Sequence, residues 1–351
     1  MNKNNGKKVY VGISGGVDSS LSAAFLKEQG YDVTGVFIKV WQPDFVECTW
    51  KEDRLDAMRV ASQLDIPFVT LDLEKEYKEG VIDYMIDEYK NGRTPNPDVM
   101  CNRQVKFGAF WKWAKAQGAD YVATGHYVIT DGKNLIVSKD KNKDQSYFLW
   151  TLTQHDLEHI LFPIGHMKKD DVRKESDKRN LYTSAKKDSQ GLCFVGSIDM
   201  KTFLKTQIEM RIGEVVNEEG KVIGTHDGMM FYTIGERHHF NITEKGTDEK
   251  PYFVSEKNIE KNQLVVSHIK PEIEHSEKII LENVSFVNEE PKEDEVYEAR
   301  ARYRAPLAKI KLKKEKSEWV AEVIEGEMVV ASGQSLVIYK NEICMGGGII
   351  V

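Results

Sequence analysis

The chain has 351 residues, 40% of them hydrophobic and 30% charged, which is the balance of an ordinary globular protein with two or three domains. Its net charge of −7 argues weakly against a nucleic-acid partner, because phosphate contacts need lysine and arginine. No apolar run is long enough to span a bilayer and the N-terminus lacks the apolar core of a signal peptide, so a cytoplasmic protein without a membrane partner is expected.

The first 130 residues alternate between strand and helix patterns, which predicts a parallel sheet with helices on both faces. The predicted strands are Val9–Ile13, Val33–Ile38, Phe68–Leu71 and Tyr121–Ala123, and the predicted helices are Ser20–Gln29, Asp53–Leu64, Tyr77–Lys90 and Val105–Gln117. Ligands of such sheets bind beyond the carboxyl ends of the strands, where Ser14–Ser19 and Thr124–Tyr127 (TGHY) would both lie.

Ser14–Ser20, with the sequence SGGVDSS, joins the first predicted strand to the first predicted helix. It has neither the lysine of a Walker A motif nor the spacing of a dinucleotide-binding turn, so backbone N–H groups, serine hydroxyls and the helix N-terminus would hold phosphate. Asp18 suits such a site if a Mg²⁺ ion mediates. The alternative is a tight turn with an N-capping serine. The string resembles the PP-loop of the N-type ATP pyrophosphatases, which implies cleavage of ATP between its α- and β-phosphates.

Gly92–Gly108, with the sequence GRTPNPDVMCNRQVKFG, combines a proline-rich turn with an acid and a thiol where a helix begins. At a helix N-terminus Cys101 would have a lowered pKa and act as a thiolate nucleophile, and the alternative is a buried space-filling residue. Asp98 would serve either as a proton acceptor or as the N-cap of the helix.

Cys193 lies in a second loop, Lys186–Gly196, whose glycines and lysines also favour a thiolate. Two activated cysteines without a C-x-x-C pair, together with an adenylating loop, indicate sulfur transfer. One thiol would carry a persulfide and the other would resolve it by disulfide exchange. The alternative is two unrelated structural cysteines, and no metal-binding residues are predicted.

The pattern changes after Leu181 to short β-segments with glycine turns, and from about Glu277 short alternating strands predict a small antiparallel barrel. Within the barrel, the nearly acid-free stretch ARARYRAPLAKIKLKK would place Arg300, Arg302 and Arg304 on one side of a strand. A second basic stretch, residues 166–187, mixes lysines with acids and is interpreted as a solvated helix face.

Eight segments together resemble the tRNA-specific 2-thiouridylases over nearly the whole chain: GISGGVDSS, TPNPDVMCN, ATGHY, KDQSYFLW, SQGLCFVG, FYTIGERH, ARYR and CMGGGII. The resemblance implies a PP-loop (HUP-like) doubly wound parallel sheet at 1–205, a small central domain at 206–275 and a tRNA-contacting antiparallel β-barrel at 276–351. It implies ATP-dependent 2-thiolation of the wobble uridine of tRNA, through adenylation of O2 and sulfur transfer from a cysteine persulfide. The products would be 2-thiouridine, AMP and pyrophosphate, and the cofactors ATP and Mg²⁺.

The resemblance also implies roles for single residues. The implied ATP contacts are Gly12, Ile13, Ser14, Gly15, Gly16, Val17, Asp18, Ser19, Ile38 and Gly125. The target base would meet Asn96, Pro97 and the acid/base Asp98, while Cys193 would carry the persulfide and the nucleophile Cys101 would resolve it, leaving a disulfide. The implied tRNA contacts are His126, Lys143, Asp144, Gln145, Arg302, Tyr303 and Gln334, with a structural histidine as an equal alternative for His126. The implied partners are the tRNAs for Lys, Glu and Gln, and a cysteine desulfurase or sulfur-relay protein.

Two segments depart from the family pattern. TIGERHHF contains Glu236, His238 and His239, which leaves the tRNA contacts of the central domain open, and the two histidines are interpreted as solvent-exposed rather than as metal ligands. Ser332 stands where a proline is usual before Gly-Gln.

Two other functions are considered. A PP-loop amidotransferase or argininosuccinate-synthase-like ligase would have no use for the two cysteines and the basic barrel strand. A non-catalytic RNA-binding protein would have no use for the intact PP-loop.

Overall fold

The computed structural model describes residues 6–43, 50–187, 200–243, 250–271, 278–293 and 295–351. Within these residues the chain forms three sheets, and each sheet belongs to a successive part of the sequence except for one hairpin. No helix in these ranges is long and apolar enough to cross a membrane.

The N-terminal part contains a parallel sheet and a separate hairpin. Its strands are β1 (Lys8–Gly12), β2 (Asp32–Lys39), β3 (Phe68–Asp72), β4 (Tyr121–Ala123), β5 (Val128–Thr130), β6 (Leu135–Val137) and β7 (Ile160–Leu161). The sheet has the order β3-β2-β1-β4-β7, and all its described pairings are parallel, as predicted. The chain moves outward from β1 to β2 and β3 and then returns to the other side of β1, so a crevice opens between the carboxyl ends of β1 and β4.

The helices of this part cover both faces of the sheet. They are α1 (Val17–Glu28), α2 (Trp50–Gln63), α3 (Glu74–Tyr77), α4 (Tyr84–Lys90), α5 (Pro97–Met100), α6 (Phe110–Ala116), α7 (Gln154–Leu157), α8 (Lys169–Lys178) and α9 (Met200–Gln207). The π-helical segment Lys78–Asp83 joins α3 to α4, and Cys101–Ala109 joins α5 to α6, so each pair forms one continuous helix. The second of these helices starts eight residues before the predicted start at Val105, because Pro97 occupies the first helical position, which proline fits well.

The middle part forms a small mixed sheet. Its strands are β8 (Gly213–Val216), β9 (Val222–His226), β10 (Asn241–Ile242), β11 (Phe253–Asn258) and β12 (Gln263–Ser267), in the order β10-β9-β8-β12-β11. Only the pairing of β8 with β12 is parallel among those described. Helix α9 spans position 205, where one domain boundary was predicted, and both predicted boundaries stay predictions.

The C-terminal part is the predicted antiparallel barrel. Its strands are β13 (Lys278–Phe286), β14 (Val296–Arg300), β15 (Ala308–Glu315), β16 (Glu318–Glu325), β17 (Ser335–Lys340) and β18 (Ile343–Ile350). Among the described residues these six strands close into a ring through the pairing of β13 with β18. In β15 the buried Ile310 and Leu312 alternate with the exposed Lys309 and Lys311, as a barrel wall requires.

One hairpin connects the first part to the last. The strands β5 and β6 follow β4 in the chain but extend the barrel sheet, since Ile136 of β6 pairs with Ile343 of β18. One hydrophobic cluster also runs through all three parts, with Tyr147, Val266 and Tyr339 among its buried members. The loops at the carboxyl edge of the first sheet are therefore packed against residues of the other two parts.

Candidate active site

The phosphate loop, which we define as Gly12–Ser19, lies between β1 and α1 at the carboxyl edge of the sheet. Its turn is closed locally, because Ser19 Oγ accepts a hydrogen bond from Ser14 N at 3.1 Å and donates one to Gly16 O at 3.3 Å. Gly16 is the N-cap of α1 and gives no side-chain hydrogen bond, so the alternative of an N-capping serine is wrong. The loop thus offers a helix N-terminus of the kind that binds phosphate.

Two glycines allow this loop to pack tightly. Gly15 has φ +77°, and a Cβ atom there would lie 2.4 Å from the carbonyl oxygen of Asp53 in α2. Gly125, just after β4, lies so near α1 that a Cβ atom would be 2.7 Å from Ser19 N. The loop and the TGHY segment therefore meet in the crevice between β1 and β4, as predicted. Ile38 is buried at the end of β2, one strand away.

Asp18 does not match the prediction of a carboxylate open to Mg²⁺. Both of its carboxylate oxygens lie 2.8 Å from Nζ of Lys169, the first residue of α8, and the Tyr127 hydroxyl donates to the carboxylate at 2.7 Å. The residues of the loop fit the phosphates of ATP. Asp18 as arranged does not fit as a magnesium ligand, because an ammonium group already holds both of its oxygens.

His126 lies inside the protein, between the phosphate loop and the helix that follows Pro97. It is 6% exposed, and its ring contacts Phe107 and Phe162. Its Nδ1 lies 2.7 Å from Thr124 Oγ1 and its Nε2 lies 3.3 Å from Lys106 Nζ. Burial, and then the nearby Lys106, hold the pKa of His126 well below its usual value. These surroundings are typical of a structural histidine, the alternative to a tRNA contact.

The base loop, which we define as Thr94–Asp98, ends in the start of α5. Asn96 is the N-cap, and its Oδ1 accepts a hydrogen bond from Val99 N at 3.3 Å. The alternative of Asp98 as the N-cap is therefore wrong. Asp98 is half-buried at the second helical position, and its predicted role as proton acceptor remains a prediction.

The base loop is held by the two other parts of the protein. Thr94 N donates to Ser332 O at 2.7 Å, and Gln334 Nε2 donates to Thr94 O at 2.7 Å. Thr94 Oγ1 also lies 3.2 Å from Thr233 Oγ1 in the middle part. In this structure Gln334, predicted to contact tRNA, contacts the segment that is predicted to contact the target base.

Cys101 lies deeper in the protein than the sequence indicates. It is fully buried in the main hydrophobic cluster, together with Val99 and Val105. Because the helix begins at Pro97, Cys101 is its fifth residue, beyond the first turn where the helix dipole acts on a thiol. The prediction that Cys101 lies at the helix N-terminus is therefore wrong for this conformation. The predicted role of Cys101 as a nucleophile stays a prediction.

Cys193 lies outside the described residues, in the segment 188–199, but the chain on both sides of that segment is placed. On one side, Lys186 Nζ lies 2.8 Å from Asp53 Oδ1 and 2.7 Å from Asp56 Oδ2, both in α2. Burial lowers the pKa of Lys186, but the two carboxylates outweigh it and leave that pKa raised. On the other side, Phe203 of α9 packs edge-on against Trp41 beyond β2. Both ends are thus fastened near the edge that carries the phosphate loop.

The segment with Lys143, Asp144 and Gln145 is partly interior. Asp144 is buried, accepts hydrogen bonds from Ser138 N and Ser146 Oγ, and has a pKa that burial raises. Gln145 exchanges hydrogen bonds with the backbone of Tyr127 at 2.9 Å. Lys143 is half-buried. In this structure Asp144 bonds within its own loop, and Gln145 attaches that loop to TGHY.

The arginines of the barrel do not share one side of a strand, because β14 ends at Arg300. The chain then turns, and Arg304 has φ +61°. Arg302 points toward the middle part, where it donates to Ile234 O at 2.5 Å, and burial lowers its pKa. Tyr303 packs on Phe148 with ring centroids 4.5 Å apart. Arg304 remains exposed.

In the middle part, His238 and His239 are exposed, as predicted. Glu236 accepts a hydrogen bond from Thr233 N at 3.0 Å and lies 3.2 Å from His239 Nδ1. Glu236 therefore supports the same turn that contacts Thr94. A separate cluster contains His155, Glu158 and His159, whose potential metal-ligand atoms lie within 4.8 Å of one another. It lies beside the carbonyl of Asp120, at the opposite edge of the first sheet from the phosphate loop.

Sequence reasoning missed the ion pairs of Lys169 and Lys186. Both belong to the basic stretch interpreted as a solvated helix face, yet Lys169 is buried and both form ion pairs beside the phosphate loop. A signal for Lys169 existed in its position, because a lysine at a helix N-terminus opposes the helix dipole and needs a partner.

Three family models match successive parts of the chain. The model described as tRNA methyl transferase HUP domain matches residues 7–197, the tRNA methyl transferase PRC-barrel domain matches 201–268, and the aminomethyltransferase beta-barrel domain matches 276–350. These ranges correspond to the parts that contain the three sheets.

Curated relatives match almost from end to end. The tRNA-specific 2-thiouridylase MnmA of Listeria monocytogenes serovar 1/2a is 44% identical over 98% of this chain and 94% of its own length. The enzyme of that name from Streptococcus thermophilus strain LMD-9 is 43% identical over 100% and 96%. The tRNA-specific 2-thiouridylase MnmA 1 of Geobacillus kaustophilus is 45% identical over 98% and 95%.

Proposed function

The chain belongs to the family of tRNA-specific 2-thiouridylases and is a tRNA sulfurtransferase that thiolates uridine, and we propose that it does so at the wobble position through an adenylated base and a cysteine persulfide. The observation that carries the proposal is that the helix containing Cys101 contacts the TGHY segment through Lys106 and His126, while Lys186, just before the Cys193 segment, contacts α2 beside the phosphate loop. Cys101 lies three residues after the end of the base loop, and Lys186 lies 2.8 Å from Asp53, the α2 residue that a Cβ atom at Gly15 would meet.

In the first step, a uridine taken out of its stack meets the base loop, as chemistry on a base requires. Its O2 attacks the α-phosphate of ATP, the bond to the β-phosphate breaks, and pyrophosphate leaves. The phosphate loop and the N-terminus of α1 stabilise the negative charge of the phosphates. Asp98, three positions before Cys101, accepts the proton that the base releases.

In the second step, the terminal sulfur of the Cys193 persulfide bonds to C2, and AMP leaves with the former O2. The Cys101 thiolate then attacks Sγ of Cys193, so the persulfide S–S bond breaks and its electron pair stays on the sulfur now attached to C2. The base becomes 2-thiouridine and a Cys101–Cys193 disulfide forms. A thiol reductant must then supply two electrons for the next turnover.

The buried position of Cys101 requires a change of conformation before this attack. The π-helical segment that begins at Cys101 is the local place for such a change, because π-helical turns are rare and often found at functional sites. We propose that tRNA binding moves the start of this helix and uncovers the thiol. The proposed substrates are the tRNAs for Lys, Glu and Gln, and the proposed sulfur donor is a cysteine desulfurase or relay protein. Mg²⁺ would accompany ATP, and the reaction would take place in the cytoplasm.

The test is a thiolation reaction with the full-length protein, ATP, Mg²⁺, a sulfide source and unmodified tRNA for Lys, followed by mass spectrometry of the wobble nucleoside. We expect 2-thiouridine with the wild type and a loss of at least about hundredfold in Cys101→Ser, Cys193→Ser and Asp98→Ala. Cys344→Ser is the matched control, because Cys344 is also fully buried but lies in the barrel.

Two results would contradict the proposal. Wild-type protein that forms no 2-thiouridine but consumes ATP with a small-molecule acceptor would indicate a ligase of the PP-loop class. Thiolation that persists in the Cys101 and Cys193 variants would remove the persulfide route and leave the tRNA substrate in place.

A further inference from the structure

An ion pair inside the phosphate-binding region joins α1 to α8. Nζ of Lys169 lies 2.8 Å from each oxygen of the Asp18 carboxylate, and the Tyr127 hydroxyl donates to Oδ1 at 2.7 Å. The Lys169 side chain is 10% exposed and the Asp18 side chain is 30% exposed. Such an enclosed pair differs from surface ion pairs, which water screens and which hold no fixed geometry.

The position of Lys169 is unfavourable for its own helix. It is the first residue of α8, where the helix dipole repels a cation, and the next two residues are aspartates, the charge that this position favours. Its backbone N–H donates to Asp140 Oδ2 at 2.9 Å, so another acid already satisfies the helix start. Lys169 therefore serves its partner Asp18 rather than the stability of α8.

Asp18 is the second residue of α1, beside the N–H groups expected to bind phosphate. An uncompensated carboxylate there would repel the polyphosphate of ATP, because two like charges a few ångströms apart oppose each other strongly when partly shielded from water. A divalent cation could cancel this charge, but Lys169 holds the place that such a cation would take. Because the Lys169 ammonium group offsets the Asp18 carboxylate, the N-terminus of α1 keeps a positive field suited to phosphate.

We propose that Lys169 is the built-in countercharge of Asp18, a positioning residue that lets the N-terminus of α1 accept ATP without a metal ion on the Asp18 carboxylate. The inference rests on the proposed use of ATP and refines it. It assigns Asp18 the role of an anchor between α1 and α8, and not that of a magnesium ligand.

Calorimetric titration of the full-length protein with ATP, once in EDTA and once in excess Mg²⁺, tests the proposal. Lys169→Met keeps most of the side-chain length and removes the charge. We expect it to bind ATP about tenfold more weakly than the wild type in EDTA, and within about threefold in Mg²⁺, because the ion can then reach Asp18. Lys168→Met, at the exposed neighbouring residue, is the matched control and leaves both affinities unchanged.

The double variant Asp18→Asn/Lys169→Met separates a countercharge from a direct phosphate contact. It removes both charges, so we expect it to bind ATP in EDTA more tightly than Lys169→Met alone. A double variant as weak as Lys169→Met would overturn the proposal, since Lys169 would then act on the phosphates themselves. Lys169→Met with wild-type affinity in EDTA would overturn it as well.

A loss of folding is recognised by thermal unfolding followed by circular dichroism. If Lys169→Met does not fold, Asp18→Asn alone decides the matter, since the proposal expects it to bind ATP with no loss that is specific to Mg²⁺. A loss confined to Mg²⁺ would make Asp18 a metal ligand and overturn the inference. Wild-type protein that binds ATP in neither condition would contradict the proposed function instead.

Discussion

The phosphate loop and the base loop are both short turns that lead into a helix, but they are held in different ways. The hydrogen bonds that close the phosphate loop run between residues no more than five positions apart, such as Ser14 and Ser19. The base loop depends on partners far along the chain, because Thr94 contacts Thr233, Ser332 and Gln334. The first turn is therefore closed by its own residues and held within the N-terminal part, where Asp18 contacts Tyr127 and Lys169, whereas the second is held by all three parts.

This difference has a functional consequence. A locally closed turn keeps its shape whether or not the other parts move, which suits a site that must bind ATP before the RNA arrives. A turn held by two other parts changes when those parts are displaced, which suits a segment that responds to tRNA binding. Substitutions in each turn separate the two cases.

The largest effect is expected for Gly15→Ala in the phosphate loop. The residue has φ +77° and the added Cβ would lie 2.4 Å from Asp53 O, so the turn must open. We expect ATP affinity to fall at least about hundredfold and the free energy of unfolding to fall by about 1–3 kcal/mol, measured by calorimetry and by urea denaturation.

Gly118→Ala is the matched control for this substitution. Gly118 has φ +85°, but nothing lies within 4 Å of the new Cβ. We expect backbone strain to lower the free energy of unfolding of this variant by about 1 kcal/mol, and its ATP affinity to equal that of the wild type. Equal ATP affinity in both variants would show that the close approach to Asp53 does not shape the site.

The next effect is expected for Gln334→Ala in the barrel. The variant loses the hydrogen bonds from Nε2 to Thr94 O and Pro95 O, at 2.7 and 3.3 Å, so the base loop shifts. We expect thiolation to fall roughly tenfold to hundredfold with unchanged ATP affinity, since a displaced reactive segment slows chemistry without touching the phosphate loop. Gln334→Glu is expected to be worse, because its carboxylate would face two carbonyl oxygens.

Alkylation of Cys101 in the absence of tRNA distinguishes this positioning role from a tRNA contact. If Gln334 holds the base loop, its removal loosens the helix start and the buried thiol reacts faster, which mass spectrometry of the labelled peptide detects. A variant with unchanged alkylation and only a raised KM for tRNA would make Gln334 a tRNA contact alone.

A smaller effect concerns His126, which connects the two regions through Thr124 and Lys106. Burial holds its pKa well below the usual 6.5 in the folded protein, whereas the unfolded chain has the ordinary value. Below about pH 6.5 the unfolded state therefore binds a proton that the folded state does not, and stability is lost as the pH falls. When the pH falls from 7.5 to 5.5, we expect the free energy of unfolding of His126→Gln to decrease by about 1 kcal/mol less than that of the wild type, as measured by urea denaturation.

The pH dependence of His226 serves as an internal reference in that comparison. Its pKa is also lowered, mainly by burial, and it is present in both proteins, so its contribution cancels in the difference. Identical pH profiles for the wild type and His126→Gln would mean that His126 is protonated without cost in the folded protein.

The same contrast explains what could be predicted from the sequence. The phosphate loop, the parallel sheet and the barrel follow from local patterns, because glycine conformations, strand alternation and helix periodicity act over a few residues. Tyr77, Val81 and Met85, which recur every four residues in the predicted helix Tyr77–Lys90, are fully buried, and Tyr89 at the same spacing is half-buried.

The features that could not be predicted depend on long-range contacts. Lys169 meets Asp18 across 151 positions, and no local pattern records such a pair. The end of β14 at Arg300 is set by the packing of the barrel against the middle part, so strand alternation could not extend to Arg304. The sequence predicts a turn at Pro97, where the structure has the first residue of a helix, because proline favours both positions.

The smallest effect is expected at Ser332, which belongs to a local turn of the barrel and also contacts the base loop. Residues 331–334 form a turn in which Gln334 N donates to Ala331 O at 3.1 Å and Gly333 has φ +89°. This is the geometry of a type II turn, whose second position favours proline. Proline would keep the carbonyl that accepts the Thr94 N–H, so we expect Ser332→Pro to raise the free energy of unfolding by about 0.4–1 kcal/mol without changing thiolation.

Gly333→Ala in the same turn should act in the opposite direction, because its Cβ would lie 2.9 Å from Thr94 N and push on the base loop. Both variants are measured by urea denaturation and by the thiolation assay. Ser332→Pro changes only the local turn, whereas Gly333→Ala, one residue further on, also disturbs the contact with Thr94. If Ser332→Pro also slowed thiolation, the base loop would depend on the flexibility of residue 332 and not only on its carbonyl. A stable but slow Gly333→Ala would show that the barrel controls the chemistry through backbone contact with Thr94.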